Sequence, residues 1–174
     1  KSNGGGAAQY AARIDLEFAK LGARGVSVIV ASGDDGSGGF LGKDDAINGC
    51  AKAYPEWPAS SPYVTTVGAT QLKSQSSGHG GAGEVVCNSK TDGVITSGGG
   101  FSEIYARPAG QEDAVANHPS NFPSALPPDY FYHQSGRAYP DVTALGSRFL
   151  VYLGGRATEL SGTSASTPVF AAMI

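Results

Sequence analysis

Residues 161–168 read Ser-Gly-Thr-Ser-Ala-Ser-Thr-Pro, and an apolar run, Val169–Ile174, follows them in this chain of 174 residues. A small, glycine-containing turn before a helix-compatible run predicts a serine that is exposed at a helix N-terminus. The free N–H groups and partial positive charge of such a terminus favour negative charge beside the serine. An acyl-transfer nucleophile has the same requirement, because its reaction forms an oxyanion next to the attacking oxygen. The stretch therefore indicates nucleophilic catalysis by a serine.

A simpler interpretation of the same stretch is a serine that caps an ordinary buried helix. That interpretation fits any lone serine before a helix, whereas the string of eight residues is far more specific. An α/β-hydrolase is disfavoured, because its nucleophile elbow reads G-x-S-x-G and Ser166 stands where the second glycine is required.

The N-terminal part of the chain predicts a helix over Ala7–Leu21, since Tyr10, Ile14, Phe18 and Leu21 recur at helical spacing. We expect Tyr10, Ile14 and Phe18 to pack this helix onto a sheet.

A doubly wound α/β arrangement is predicted by the residues that come after the helix. Val26–Ala31 is a nearly all-apolar, β-branched run, which is typical of a buried parallel strand. Tyr63–Ala69 is expected to be its parallel neighbour. Asp34 comes just past the carboxyl end of the first strand, where α/β folds place their functional residues.

The remaining chain predicts two hairpins and one irregular segment. Val85–Val86 and Val94–Ile95 flank a turn, and Phe149–Leu153 pairs with Arg156–Leu160 across Gly154-Gly155. The proline-rich residues from Asn117 to Tyr132 are expected to be irregular. Trp57-Pro58 is an aromatic–proline pair, which favours a cis peptide bond more than most sequences do.

Five segments of the chain, taken together, resemble the sedolisins, the serine-carboxyl peptidases, and are similar to their tripeptidyl-peptidase branch. They occur in family order and are Ala31–Asp34, Trp57–Ala69, Ser97–Ser102, Gly136–Val142 and Ser161–Pro168. The resemblance covers nearly the whole chain.

This resemblance implies a subtilisin-like α/β fold, doubly wound, with a mostly parallel sheet and helices on both faces. Residues 1–174 would be the C-terminal part of a peptidase catalytic domain, truncated at both ends. The family's catalytic glutamate and partner aspartate are then expected upstream of Lys1. Calcium is expected in the full-length protein, with its loops downstream of Ile174 and its ligands outside this chain.

The resemblance also implies two catalytic residues in this chain. Ser164 stands at the position of the family's nucleophile. Asp34 stands where subtilisin-like enzymes have an asparagine that donates a hydrogen bond to the oxyanion. A carboxylate cannot donate a hydrogen bond, whereas a carboxylic acid can. Because aspartic acid ordinarily ionises at about pH 4, this substitution predicts activity at acidic pH.

The identity of the catalytic base separates the alternatives. His79, His118 and His133 lie in predicted loops, and histidine is mostly protonated in acid, so a carboxylate base outside the chain is favoured. We therefore expect the chain alone to be inactive. A neutral subtilisin-like peptidase with an external histidine, and a non-catalytic peptide-binding pseudoenzyme, are the alternative functions. Endopeptidase and tripeptidyl-peptidase action stay open.

Glycines and one ion pair complete the predicted site. Ser97, Gly98, Gly99 and Gly100 are expected to form a wall of the substrate cleft, although a simple turn fits the same string. Arg137 and Asp141 are expected to form a structural ion pair.

Composition excludes some partners. The net charge of −3 gives no basic footprint for nucleic acid. No apolar stretch approaches the roughly 18 residues of a membrane span. The partner expected is a peptide or protein substrate, and the resemblance implies a secreted protein or one of a lysosomal, acidic compartment. No residue spacing indicates a metal site. Cys50 and Cys87 allow either one disulfide or two free thiols.

Overall fold

The computed structural model of the chain describes residues 4–40, 52–73, 83–121 and 127–174. Within these ranges the chain forms three α-helices: α1 (Gly4–Ala23), α2 (Glu112–Asn121) and α3 (Thr163–Ala171). The strands of the described residues are β1 (Ile29–Ala31), β2 (Thr65–Leu72), β3 (Glu84–Val86), β4 (Gly100–Ala106), β5 (Gly136–Tyr139), β6 (Val142–Leu145), β7 (Phe149–Leu153) and β8 (Arg156–Leu160).

A four-stranded sheet is the centre of the described chain. β2 lies between β1 and β6 and is parallel to both, with Ile29 opposite Thr65 and Val67 opposite Val142. β3 is antiparallel to the far end of β2. The parallel pairing of β1 and β2 confirms the predicted doubly wound arrangement, although β1 begins three residues later than Val26.

β2 is central because its side chains can be buried on both faces. Thr66 through Gln71 are all buried, and Val67 and Ala69 have no exposed surface. α3 packs against β2, β6 and β1, so the helix that carries Ser164 rests on the parallel part of the sheet. Burial of this run fixes the register of the strands. A shift by one residue would move Thr66 and Thr70 to the opposite face of the sheet.

Tyr10 was predicted to lie on the face of α1 that packs against the sheet, and this prediction is wrong. Its ring is 58% exposed and makes an edge contact with Trp57, whereas Ala11 and Asp15 are the helix residues that are most buried. The helix therefore turns a small residue and a carboxylate inward, and Ile14 and Phe18 are only partly covered. A periodicity based on large apolar residues misses a face in which the central residue is an aspartate.

The hairpin predicted between Val85–Val86 and Val94–Ile95 is also wrong. β3 pairs with β2, and the turn that comes after β3 is closed by Thr91 and Gly93 N–H groups that donate to the carbonyl of Asn88. β3 instead extends the central sheet, with Val86 opposite Thr70 and Glu84 opposite Leu72.

Two smaller antiparallel sheets complete the described fold. β4 pairs with β5, and β7 pairs with β8 in the register predicted for the hairpin, Phe149 opposite Leu160. Residues 117–132 were expected to be irregular. This prediction is wrong for residues 117–121, because α2 continues to Asn121. The Trp57–Pro58 bond is cis, as predicted, and so is Tyr139–Pro140.

Candidate active site

Ser164 is the second residue of α3, and its side chain is exposed. Its two serine neighbours differ from it. Ser161 accepts a hydrogen bond from the backbone N of Arg148, at 2.8 Å from its Oγ. Ser166 is fully buried and donates to the carbonyl of Thr163 at 3.0 Å, so it bonds back within the helix and does not cap the helix N-terminus. Ser164 is thus the serine of the motif that faces solvent.

Gly162 forms the turn that precedes α3. Its φ of 156° and ψ of 155° lie in a region that only glycine occupies readily. Its N–H donates to the carbonyl of Gly146 at 2.8 Å, and its carbonyl accepts from Ala165 N at 2.9 Å. The glycine of the motif is therefore required by the backbone, which agrees with the sharp turn predicted from the sequence.

Asp34 is bound to the start of α3. Its Oδ1 accepts hydrogen bonds from the backbone N of Thr163 at 2.7 Å and from Thr163 Oγ1 at 2.9 Å. The N–H of Gly33 donates in turn to Thr163 Oγ1 at 3.1 Å. A carboxyl group placed here accepts from one of the free N–H groups of the helix. Residues that are 129 positions apart thereby join the strand end to the nucleophile turn.

The second oxygen of Asp34 and the backbone N of Ser164 both lie near the space that a side chain of residue 162 would occupy. A β-carbon at Gly162 would be 3.1 Å from Asp34 Oδ2 and 3.6 Å from Ser164 N. Within the described chain, Oδ2 accepts no hydrogen bond, since both bonds to Asp34 reach Oδ1. The absence of a side chain at Gly162 keeps this space open.

The outer side of the Asp34 turn is held by the segment that precedes β4. Thr96 N donates to the carbonyl of Asp34 at 3.0 Å, and Gly98 N donates to that of Gly33 at 2.7 Å. A β-carbon at Gly98 would lie 2.1 Å from the carbonyl oxygen of Ser32, so only glycine fits there. Ser97 Oγ accepts from Ala69 N at 3.0 Å.

The predicted cleft wall therefore packs against the chain's own backbone. A β-carbon at Gly99 would lie 3.1 Å from the carbonyl of Tyr139, and Gly100 opens onto a cavity between β5 and α2. These contacts account for the glycines at positions 98 and 99. A contact of Ser97–Gly100 with substrate stays a prediction.

Arg137 and Asp141 form the predicted ion pair. Arg137 is 2% exposed, and its Nη2 is 2.6 Å from Asp141 Oδ2. The same Oδ2 accepts from Thr66 N at 2.7 Å, and Arg137 Nη2 also donates to the carbonyl of Val64. The pair ties the connection between β5 and β6 to β2, which sets the position of the parallel sheet below α3.

Only one of the three histidines has a described side chain. His133 lies beside β4, where its Nδ1 is 3.2 Å from the carbonyl oxygen of Ser102. His79 and the side chain of His118 lie outside the described residues.

The described ranges contain no group of three or more His, Cys, Asp or Glu side chains that could hold a metal ion. The calcium that the family resemblance implies, with its ligands outside this chain, stays a prediction.

Cys87 is a buried free thiol whose Sγ lies 3.3 Å from the carbonyl oxygen of Ile95. Cys50 lies outside the described residues. No helix in the described ranges is long and apolar enough to cross a membrane.

Comparison with known proteins identifies the fold. The model of the subtilase family matches residues 1–174. The solved structure of Pseudomonas sedolisin, a serine-carboxyl proteinase complexed with pseudo-iodotyrostatin, superposes with a TM-score of 0.56 at 29% identity, over 90% of this chain and 39% of that one.

Curated relatives extend this similarity. Tripeptidyl-peptidase 1 of Rattus norvegicus is 42% identical over 166 residues, which are 95% of this chain and 27% of that protein. The human protein of the same name is 40% identical over 166 residues, again 95% of this chain and 27% of that protein. Aorsin of Aspergillus oryzae is 40% identical over 191 aligned positions, 96% of this chain and 28% of that protein. The chain thus spans little more than a quarter of the length of these relatives.

The serine on a glycine turn at the start of α3, together with the family match and the superposition on sedolisin, identifies a subtilisin-like fold. The chain belongs to the subtilase family. Its similarity to Pseudomonas sedolisin and to tripeptidyl-peptidase 1 confirms the resemblance to the sedolisins.

Thr163 is the residue of the site that sequence patterns did not reveal. Its hydroxyl accepts a hydrogen bond from Gly33 N and donates one to Asp34 Oδ1, and the residue is 1% exposed. The signal was present, since a threonine directly before a nucleophile at a helix start can bridge to an acceptor on a neighbouring loop.

Proposed function

We propose that the chain carries the nucleophile and the oxyanion-binding residues of an acid-acting serine-carboxyl peptidase, with residues 1–174 forming the C-terminal part of its catalytic domain. The observation that carries the proposal is the space beside Gly162, which Asp34 Oδ2 and the N–H of Ser164 both flank. Peptide or protein is the substrate, and an acidic compartment or the secreted milieu is the place of action.

In this mechanism Ser164 Oγ attacks the carbonyl carbon of the scissile peptide bond and forms a tetrahedral intermediate. The carbonyl oxygen becomes an oxyanion, which enters the space beside Gly162. Collapse of the intermediate, with the proton that the base took from Ser164 passed to the leaving nitrogen, releases the amine product and leaves an acyl-enzyme on Ser164, which water then hydrolyses. The N–H of Ser164 donates one hydrogen bond to the oxyanion, and the positive end of α3 adds to its stabilisation.

Asp34 supplies the second hydrogen bond if its carboxyl group carries a proton. Oδ1 already accepts two hydrogen bonds from Thr163, so the proton belongs on Oδ2, the oxygen that flanks the space. A neutral aspartic acid is favoured by acidic solution, and the bonds to Oδ1 hold the carboxyl group in the orientation that donation requires. Ketosteroid isomerase, on another fold, likewise uses a neutral aspartic acid as a donor in its oxyanion hole.

The base that takes the proton from Ser164 is proposed to be a carboxylate outside this chain, oriented by a second carboxylate. A carboxylate stays a competent base in acid, where a histidine is protonated. The isolated 174 residues are therefore expected to be inactive.

The test uses the full-length protein, with peptide hydrolysis followed from pH 3 to 8 for the wild type and Ser164→Ala. We expect a maximum below about pH 6, loss of turnover in Ser164→Ala, and labelling of Ser164 by a phosphonofluoridate that fails in the variant. A maximum at neutral pH would favour the histidine-based alternative. The absence of both labelling and turnover at every pH would favour the pseudoenzyme.

A further inference from the structure

Thr163, the residue before Ser164, donates two hydrogen bonds to one oxygen of Asp34. Its backbone N lies 2.7 Å from Asp34 Oδ1, and its hydroxyl oxygen lies 2.9 Å from the same atom. The residue is 1% exposed. A buried residue in this position can act on the reaction through Asp34.

The direction of the hydroxyl bond is fixed by Gly33. The N–H of Gly33 lies 3.1 Å from Thr163 Oγ1, and an N–H group can only donate. The hydroxyl oxygen therefore accepts from Gly33, and its single hydrogen is directed to Asp34 Oδ1. Because Oδ1 is the acceptor for two donors, Oδ2 is the oxygen that can carry the proton of a carboxylic acid.

A hydroxyl that donates to a carboxyl group also affects how readily that group ionises. The bond stabilises the ionised form more than the neutral acid, because the acceptor then carries a full charge. The Thr163 hydroxyl therefore directs the proton of Asp34 to Oδ2, and at the same time it opposes the retention of that proton as the pH rises.

Other charged side chains lie near the Asp34 turn. They are Asp35 on the turn itself, Glu56 beside Gly33, and Lys90 in the segment before β4. The helix α3 contributes no titratable side chain. Substitution of Thr163 leaves all of these groups in place, so a change in pH dependence would report on the hydroxyl.

We propose that Thr163 is a positioning residue whose hydroxyl bond to Asp34 sets the alkaline limit of catalysis; the inference rests on the proposed peptidase function. The bond holds the carboxyl group with Oδ2 as the donor, and it limits the pH range in which the proton is retained. A protein without this hydroxyl should stay active to higher pH, although its turnover in acid should be slower because Asp34 is held by one bond fewer.

The experiment measures kcat/KM of the full-length protein from pH 3 to 8 for the wild type, Thr163→Val and Thr163→Ser. Valine has nearly the shape of threonine but no hydroxyl group, so the alkaline limit should move upward by about one pH unit. Serine retains the hydroxyl group, so Thr163→Ser should keep the alkaline limit of the wild type. Thr163→Ala removes the same hydroxyl without a branched side chain, so the test does not depend on how valine packs.

Thr167→Val is the matched control, because it removes a hydroxyl group from the same turn of α3. Thr167 Oγ1 donates to the carbonyl of Thr163 at 2.7 Å, and not to Asp34, so its removal should leave the alkaline limit in place. Asp34→Asn provides a second control. Its amide does not ionise, so Thr163→Val in that background should not move the limit.

An alkaline limit that is equal in the wild type, Thr163→Val and Thr163→Ala would overturn the inference, and so would an equal shift in Thr167→Val. In either case the proposed peptidase stands if Asp34→Asn extends activity to higher pH. If Asp34→Asn has the limit of the wild type, or if the wild type is most active at neutral pH, the proposed role of Asp34 fails and this inference fails with it.

Discussion

In both Asp34 and Asp15, one carboxyl oxygen accepts a hydrogen bond from a hydroxyl group. The two residues differ in the surroundings of the other oxygen. Asp34 Oδ1 binds Thr163, and its Oδ2 faces the open space beside Ser164 N. Asp15 Oδ1 accepts from Ser61 Oγ at 2.6 Å, but its Oδ2 is buried without a hydrogen-bond partner in the described chain. Oδ2 of Asp34 is therefore available to a reaction. Oδ2 of Asp15 lowers the stability of the fold, since a buried acceptor without a hydrogen bond is destabilising.

The neighbours of Asp15 show the electrostatic consequence. The hydroxyl of Tyr105 and the indole N of Trp57 are also buried without a hydrogen-bond partner among the described residues. Burial first, and then Asp15, raise the pKa of Tyr105 to about 12. Asp15 is therefore close enough to act on Tyr105, although the two side chains are not aligned for a hydrogen bond. The comparison predicts that changes at Asp34 alter the reaction and changes at Asp15 alter stability.

The largest expected effect is that of Asp34→Ala in the full-length protein. Removal of one oxyanion donor should lower kcat by roughly 10²–10³, with a smaller change in KM, because the bond is made mainly in the transition state. Initial-rate kinetics at the pH of maximal activity measure this. A loss below about threefold would mean that Asp34 only anchors the start of α3.

Gly162→Ala tests the space itself. The new β-carbon would lie 3.1 Å from Asp34 Oδ2, and alanine adopts the backbone angles of Gly162 only with strain of about 1–3 kcal/mol. We expect a loss of kcat larger than the loss of stability explains. Gly154→Ala is the control, since it also has a positive φ but has no atom within 4 Å of an added β-carbon. Equal losses of kcat in the two variants would contradict the prediction.

Asp34→Asn separates protonation from hydrogen bonding. An amide donates at every pH, so this variant should keep much of the activity and extend it to higher pH than in the wild type. The pH dependence of kcat/KM measures the shift. An unchanged alkaline limit would show that another group sets it.

The smallest expected effect on the reaction is that of Asp15→Asn. The amide still accepts from Ser61, and removal of the carboxylate should lower the pKa of Tyr105, although burial keeps it above its ordinary value. Absorbance titration of the tyrosines measures the shift, and Asp34→Asn serves as its control.

The same variant has a defined effect on stability in alkali. The raised pKa of Tyr105 stabilises the fold fully below about pH 10, and this contribution is lost as the pH rises through about 12. In Asp15→Asn the contribution is smaller, so unfolding by urea should depend less on pH between those values. A steeper dependence than in the wild type would contradict the assignment.

Sequence patterns predicted the regions where one physical requirement dominates. The apolar runs at β1 and β2 specified a parallel sheet, the paired glycines specified the β7–β8 hairpin, and the string around Ser164 specified a turn before a helix. In each case burial or backbone geometry leaves few alternatives.

The contacts that depend on the tertiary structure could not be read from the sequence. Asp15 resembles a solvated charge on α1 until Ser61 is brought to it, and Thr163 resembles a turn residue until Gly33 and Asp34 are placed against it. Each of these partners is more than 40 positions distant, as the separations of 46, 130 and 129 show. The helix, strand and turn preferences of neighbouring residues do not predict which distant side chains meet in the folded chain.

The β7–β8 hairpin is joined to the nucleophile turn by a closed base. Gly162 N binds the carbonyl of Gly146, and Arg148 N binds Ser161 Oγ, so both ends of the hairpin are tied together before α3 begins. Beyond this base, Tyr152 and Leu153 are mostly exposed, and the tip glycines have no atom within 4 Å of an added β-carbon. The hairpin is thus an insertion site: a peptide tag or fluorophore-binding loop grafted between Gly154 and Gly155 would report on the protein without displacing Ser164.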